Sequence, residues 1–139
     1  MTMSYILDTG FLYARLNDQD INHPAVSSVA LRASDLLFLP VPAKTEITFL
    51  LNRDLGTRAV AEFIQALPRS NFVLEVPTPE DYARSAEILR KYDDNNIDFV
   101  DACIVAMAER LNITKILTVD KRHFSAFRPR HCETFELVP

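Results

Sequence analysis

The chain has 139 residues, of which 48% are hydrophobic and only two are glycine, and its formal net charge is −4. This composition excludes a fibrous or disordered chain, a membrane span of roughly 18 apolar residues and a disulfide framework, and the charge argues against indiscriminate binding of nucleic acid. We therefore expect one domain over residues 1–139, with no signal peptide, in the reducing cytoplasm.

Short apolar runs alternate along the chain with segments of helical periodicity. The runs predict buried strands over residues 5–7, 36–39, 72–76 and 116–119, with a candidate fifth over 134–138. Helices are predicted over residues 10–16, 24–33, 42–53, 56–67, 79–92 and 98–111, the last of which is apolar nearly all round and therefore buried. This alternation indicates an α/β fold with a mainly parallel sheet of four to five strands covered on both faces.

Two aspartates follow predicted strands. Asp8 ends the first strand and Asp120 ends the fourth. The carboxyl ends of parallel strands share one edge of the sheet, where such folds form their sites. Either residue can also be a simple turn residue or helix cap, and for Asp120 alone that interpretation is favoured.

Glu46 lies on a predicted helix among apolar neighbours at helical spacing. We expect its carboxylate to lie in the stripe that faces the core, where a lone charge is costly unless it is paired or binds a metal. In the alternative interpretation, Glu46 sits at a rim and reaches water or a distant arginine. The apolar neighbours are Pro42, Ala43, Phe49 and Leu50.

Asp98 and Asp101 begin the most apolar helix, three residues apart and therefore on one face. A capping box can explain both residues without any catalytic role. It is the better account of Asp98, and the weaker one of Asp101, which precedes a run that must be buried.

Together these acids predict a divalent-metal site. Carboxylates clustered without cations repel one another and raise one another's pKa values, whereas Mg²⁺ or Mn²⁺ prefers oxygen ligands and removes the repulsion. Such ions activate water and stabilise charge on a phosphate. Residues 115–131 are locally basic, which suits either a polyanion or a solvated surface.

Four segments resemble PIN domains, and specifically the VapC-like toxin ribonucleases of toxin–antitoxin pairs. They are Ile-Leu-Asp-Thr-Gly at residues 6–10, Thr-Glu-Ile at 45–47, Phe-Val-Asp-Ala-Cys-Ile-Val-Ala-Met-Ala at 99–108, and Ile-Leu-Thr-Val-Asp-Lys-Arg-His-Phe at 116–124. Their order and spacing agree over essentially the whole chain. Gly10 departs from the resemblance, because many relatives carry serine or alanine there.

The resemblance implies a three-layer α/β/α fold and a Mg²⁺- or Mn²⁺-dependent endoribonuclease. It implies metal binding and catalysis by four acids, Asp8, Glu46, Asp101 and Asp120. Thr118 is a candidate supporting residue, Asp98 a candidate outer acid, and His123 a structural residue. Candidate RNA contacts are Lys121, Arg122 and Arg128. An RNA substrate, a cognate antitoxin and a homodimer follow by the same analogy.

Three other functions fit parts of this pattern. Asp8-Thr9-Gly10 matches the aspartic-protease signature, which needs a second such loop or a symmetric β-rich dimer. Acids at strand ends also serve phosphatases and phosphoacceptor domains. A phosphatase of the haloacid-dehalogenase type needs a second aspartate at position 10, where this chain has glycine. A phosphoacceptor receiver domain needs an aspartate at the end of its middle strand, and no aspartate ends the strand at residues 72–76. The third alternative is a PIN-fold RNA-binding or interaction protein with little or no nuclease activity.

Overall fold

The structure, a computed structural model that describes residues 2–139, contains a five-stranded parallel sheet with helices on both faces. The strands are β1 (Ser4–Leu7), β2 (Leu36–Pro40), β3 (Phe72–Glu75), β4 (Lys115–Leu117) and β5 (Glu136–Val138). They lie in the order β3-β2-β1-β4-β5, and every pair is parallel. The predicted α/β class, with three layers and a mainly parallel sheet, is confirmed.

Seven helices connect and flank these strands. They are α1 (Thr9–Leu16), α2 (His23–Ser27), α3 (Val41–Leu55), α4 (Thr57–Ala66), α5 (Pro79–Lys91), α6 (Phe99–Leu111) and α7 (Lys121–Ala126), with a 3-10 turn at Leu67–Arg69 after α4. None of the helices in residues 2–139 combines the length and the apolar character that a bilayer-spanning segment requires.

Alternating side chains of the central strands fill two cores, one on each face of the sheet. Ile6 and Ile116 pack on the face covered by α5, α6 and α7. Their neighbours Leu7 and Leu117 pack on the face covered by α1, α3 and α4. Because both faces are buried, the strands read as continuous apolar runs.

Helix α6 is the most buried helix, as its sequence predicts. Every residue from 102 to 108 is buried. Cys103 lies in this segment, and burial raises the pKa of its thiol to about 11, so it is an inert core residue.

The structure differs from the prediction at three elements. The helix predicted over residues 24–33 ends at Ser27, and Ser28 Oγ donates a hydrogen bond to the Ala25 carbonyl (2.7 Å). Serine hydroxyls bonded to nearby backbone compete with helix continuation. The strand predicted over residues 116–119 ends at Leu117 instead. Helix α7 was not predicted, because its six residues are too few for a clear apolar period.

Asp81 joins α5, α6 and β3 through one buried carboxylate. It completes a capping box with Thr78 and accepts hydrogen bonds from Arg110, which also pairs with Glu75 (2.9 Å). Burial alone raises the pKa of Asp81, but the bonds from Arg110 and Thr78 outweigh it and hold the pKa below its usual value. This network fixes the end of α6 that is remote from the acids.

We expect Asp81→Asn to lower the free energy of unfolding by about 1–2 kcal/mol, because the amide keeps the cap but loses the charge that pairs with Arg110. Urea unfolding followed by circular dichroism measures this change. Glu80→Gln is the control, since Glu80 is exposed beside the same helix start. Equal stabilities of the two variants would contradict a role for the Asp81 charge.

Candidate active site

An open cleft of about 340 Å³ lies beyond the carboxyl ends of β1 and β4. The strand order reverses direction at β1, so these two neighbouring strands mark the switch point where parallel α/β folds bind ligands. The fold thereby brings together acids from distant parts of the sequence. Those that line the cleft are Asp8, Glu46, Asp98, Asp101 and Asp120.

Asp8 is the most buried of these acids, with 6% of its surface exposed. It precedes α1, and its Oδ1 accepts a hydrogen bond from the Thr9 N–H (2.8 Å). Its Oδ2 accepts one from the Thr118 hydroxyl (2.7 Å), whose oxygen in turn accepts from the Asp120 N–H (2.9 Å). Thr118 thus links the Asp8 carboxylate to the backbone of Asp120, and its role as a supporting residue of the site stays a prediction.

Burial is the main cause that raises the pKa of Asp8 to about 6. The hydrogen bonds from Thr118 and Thr9 oppose this rise, and the charges of Asp120 and Glu46 add to it. The sequence predicted mutual repulsion among these acids, and repulsion is present, but loss of water contributes more.

Asp98 and Asp101 form the predicted capping box at the start of α6. Asp98 Oδ1 accepts from the Asp101 N–H (3.0 Å), and Asp101 Oδ2 accepts from the Asp98 N–H (3.1 Å). Asp98 is exposed, whereas Asp101 is largely withdrawn from solvent. Burial, followed by the charges of Asp98, Asp8 and Asp120, raises the pKa of Asp101 to about 8. A capping residue does not need to be buried beside other carboxylates. The capping box therefore does not explain the position of Asp101, which suggests a second role for this residue.

Asp120 is both a helix cap and a cleft residue. Its Oδ1 accepts a hydrogen bond from the His123 N–H (3.1 Å) and begins α7. Asp8, Asp98 and Asp120 therefore each precede a helix whose positive end points toward the acidic cleft. These dipoles favour negative charge there and partly offset the repulsion among the acids.

His123 is a cleft residue to which the sequence assigned only a structural role. Its Nδ1 lies 2.8 Å from Asp120 Oδ2 and 3.7 Å from Asp101 Oδ2. The contact with the nearer carboxylate lacks hydrogen-bond geometry, so among residues 2–139 the buried Nδ1 has no hydrogen-bonded partner. The only signal in the sequence was its spacing of three residues from Asp120, which places both on one side of a helical turn.

Glu46 lies half-buried at the rim of the cleft, on the second turn of α3. Of the two interpretations of Glu46, the core-facing stripe is wrong and the rim position is the one observed: the buried stripe is formed by Ala43, Ile47 and Leu51, while Phe49 is 66% exposed. Helix α3 therefore turns toward the sheet a face that is shifted by about one residue from the predicted one. Glu46 makes no hydrogen bond or ion pair with other described residues, which leaves both its oxygens available.

The predicted RNA contacts separate into two groups. Lys121 and Arg122 are exposed, with side chains unpaired among the residues that the structure describes, and Arg122 lines a second cleft that adjoins the acidic one at His123. The guanidinium of Arg128 instead donates to the carbonyls of Ser125 and Phe127, closing the end of α7. Arg128 does not line the cleft.

Gly10 permits a close approach between α1 and the segment after β4. A Cβ on Gly10 would lie 2.9 Å from Cγ2 of Val119, which is closer than ordinary contact. Both residues line the cleft wall beside Asp8. The glycine that departs from the resemblance therefore shapes this wall of the cleft.

The chemistry of the cleft fits a divalent ion. Its donors are carboxylate oxygens, which hard cations prefer, and the Thr9 hydroxyl is buried there without a hydrogen-bond partner. Within residues 2–139, however, no three acidic, histidine or cysteine side chains are already arranged around one metal position. Asp101 and Asp120 each use one oxygen as a helix cap, so shared coordination requires side-chain rotation.

A family model of the PIN domain matches residues 5–128. The chain belongs to the PIN domain family. The matched segment contains all five acids of the cleft.

Individual PIN proteins agree with this assignment. The chain is 31% identical over 134 residues to ribonuclease VapC26 of Mycobacterium tuberculosis, which covers 96% of this chain and 99% of that protein. Crystal structures of M. tuberculosis VapC20, a sarcin-ricin loop cleaving toxin, and of Rickettsia felis VapBC2 bound to a DNA fragment from its promoter are also similar. VapC20 is 25% identical with a TM-score of 0.70, covering 81% of this chain and 86% of its own. For VapBC2, the TM-score is 0.72 over 99% of this chain and 100% of the other, and at 13% identity the likeness concerns the fold alone.

Proposed function

We propose that this PIN domain, one domain over residues 1–139, is a metal-dependent endoribonuclease and the toxin of a toxin–antitoxin pair. The observation that carries the proposal is the withdrawal of Asp8 and Asp101 from water within one cleft, where burial and mutual charge raise both pKa values. Such an arrangement is unfavourable for folding and is typical of a site that works with a cation. The 31% identity to a ribonuclease supports RNA as the substrate.

Asp8, Glu46, Asp101 and Asp120 are the proposed ligands of Mg²⁺ or Mn²⁺. The bound ion would supply a water of lowered pKa and positive charge against the phosphate. Without a cation, an RNA phosphate would meet five carboxylates in this cleft. An ion bound by these carboxylates would thus explain how a polyanion such as RNA can approach an acidic site.

Side chains of the protein orient the Asp8 carboxylate and carry one proton, on Asp101. Hydrogen bonds from Thr118 and Thr9 fix the direction of the Asp8 carboxylate, so little rotational freedom is lost when it binds. Asp101, with a pKa of about 8, holds a proton in much of the population at neutral pH, and this proton must leave before the carboxylate acts as a ligand. Lys121 and Arg122 are placed to hold the RNA backbone.

The proposed partners follow from the relatives. Structures of similar proteins include toxin–antitoxin complexes, for example one from Klebsiella pneumoniae. We propose a small antitoxin that lays a peptide across the acidic cleft, and a homodimer of this chain.

The test is incubation of RNA with the purified protein and either Mg²⁺, Mn²⁺ or a chelator. We expect internal cleavage products with either ion and none with the chelator. Gel electrophoresis of the RNA detects these products. Products that persist unchanged in excess chelator would contradict the metal-dependent mechanism.

The same preparation separates a nuclease from an RNA-binding PIN protein. Asp101→Asn keeps a side-chain oxygen that can accept the hydrogen bond from the Asp98 N–H, so the capping box is retained. A nuclease loses its metal-dependent products in this variant. A binding module instead retains RNA equally well in wild type and variant, and gives no products at any stage.

A further inference from the structure

A second, strongly polar cleft of about 290 Å³ opens beside the acidic one. The two clefts share Asn96 and His123 in their linings, so they adjoin one another. The second cleft adds Asp94, Asn95 and Arg122. Its volume is near the lower end of small-ligand sites, about 300 Å³.

The polar groups of this second cleft are unused within the protein. Among residues 2–139, the side chains of Asp94, Asn95, Asn96 and Arg122 make no hydrogen bond or ion pair. The set contains two amides, which both donate and accept, one carboxylate, which only accepts, and one guanidinium, which only donates. It is therefore able to satisfy a ligand with mixed donors and acceptors.

The loop that carries these groups is held at both ends. At its start, the Tyr92 ring packs edge-on against Phe127 (5.0 Å), and its hydroxyl accepts from the Arg128 N–H (3.0 Å). At its end, Ile97 packs against the core. Asn96 adopts the left-handed conformation (φ 57°), which asparagine tolerates better than most residues. A loop fixed in this way presents its side chains without a large ordering cost.

We propose that this second cleft is a base-reading subsite for the RNA nucleotide next to the bond that is cut. This rests on the proposed ribonuclease function. Proteins read RNA sequence mainly through unstacked bases hydrogen-bonded along their edges. Asn95 and Asn96 supply that contact, and Arg122 binds the adjoining phosphate.

The carboxylate of Asp94 determines which bases the subsite prefers. It accepts hydrogen bonds from the exocyclic amino group that adenine, cytosine and guanine carry. Uracil has no amino group: it offers the carboxylate only its N3–H, which stands between two carbonyl oxygens that the carboxylate repels. The subsite therefore favours a base with an amino group over uracil at one position of the strand.

Binding of labelled hexauridylate and of its six single-adenine versions tests the subsite. Fluorescence anisotropy is read with Ca²⁺ in place of Mg²⁺ or Mn²⁺, so that the acidic cleft holds a cation, and gel electrophoresis of the probes afterwards checks that they are uncut. We expect one position at which adenine binds wild type at least about fivefold more tightly than uridine, as one or two hydrogen bonds allow. Affinities of all seven probes within about twofold would overturn the proposal.

Matched variants assign the preference to the cleft. Asp94→Ala and Asn96→Gly, which suits the left-handed backbone, are each expected to reduce the preference to about twofold or less. Arg122→Ala weakens all probes alike, because a phosphate contact carries no sequence information. Asp93→Ala is the control, since Asp93 lies in the same loop but outside the cleft. A full preference in both Asp94→Ala and Asn96→Gly would overturn the assignment.

The outcome is separable from that of the proposed nuclease. A preference that the variants abolish, in a protein that never cleaves RNA, supports the subsite and refutes the nuclease. Metal-dependent cleavage by a protein with no base preference leaves the nuclease intact and refutes the subsite.

Discussion

Replacing Asp8 with asparagine is expected to reduce metal-dependent RNA cleavage by about 100-fold or more. The substitution preserves shape but removes the charge from the most buried acid of the cleft. Losses of this size are typical when one electrostatic group of a preorganised site is removed. Initial rates of cleavage of one RNA at saturating Mg²⁺, for wild type and variant, measure the effect.

Asp98→Asn provides a matched control for this experiment. Asp98 lines the same cleft but is exposed, and its carboxylate is bonded to the N–H of Asp101 as a cap. Asparagine caps a helix equally well, so we expect cleavage within about threefold of wild type. Equal losses in both variants would show that Asp98 is a functional acid, and full activity of Asp8→Asn would refute the proposed centre.

The difference in stability between Asp8→Asn and wild type is expected to grow as pH rises. In the folded chain, the Asp8 pKa is about 6, against 3.8 in the reference state. A carboxyl whose pKa is raised binds its proton more tightly when folded, so the wild type loses stability as pH rises from about 4 to about 6. Each pKa unit corresponds to about 1.4 kcal/mol, which gives on the order of 3 kcal/mol for Asp8.

Urea unfolding at about pH 4 and about pH 8, without divalent ions, measures this dependence. The variant carries no such proton, so its free energy of unfolding should rise relative to wild type by on the order of 3 kcal/mol between the two conditions. Asp101 remains in both proteins and contributes in the same direction up to about pH 8, its own pKa. A difference that is independent of pH would contradict the raised pKa.

Two controls complete the stability experiment. Asp93→Asn, at an exposed position of the loop before α6, should track wild type at both pH values. Mn²⁺ at about a hundredfold above its dissociation constant should stabilise wild type by about 2.7 kcal/mol at pH 8. Asp8→Asn should gain much less, because it lacks one proposed ligand.

The sequence alone predicted most of the fold. Apolar runs and helical periodicity located the five strands and six of the seven helices, because burial on both faces of a parallel sheet leaves a strong local pattern. The shortened α2 and the unpredicted α7 show the limit of that pattern. Both are helices of six residues or fewer, for which capping and contacts outweigh periodicity.

Local pattern also identified acids that needed an explanation, but it did not fix their surroundings. Glu46 was placed in the core-facing stripe and lies instead at the rim, because the rotation of α3 about its axis depends on what the helix packs against. His123 was taken as structural and lies between two carboxylates. The position of His123 depends on helix α7, which begins after Asp120 and which the periodicity of the sequence did not predict.

The sequence by itself determined the fold class, the buried character of α6 and the residues able to bind a cation. Only the tertiary structure decided that Asp8 and Asp120 are joined through Thr118, and that Asn96 links the acidic cleft to a second polar cleft. The physical reason is that periodicity records which face of an element is buried. Strand order and helix docking then set which distant residues become neighbours, and these depend on the packing of the whole chain.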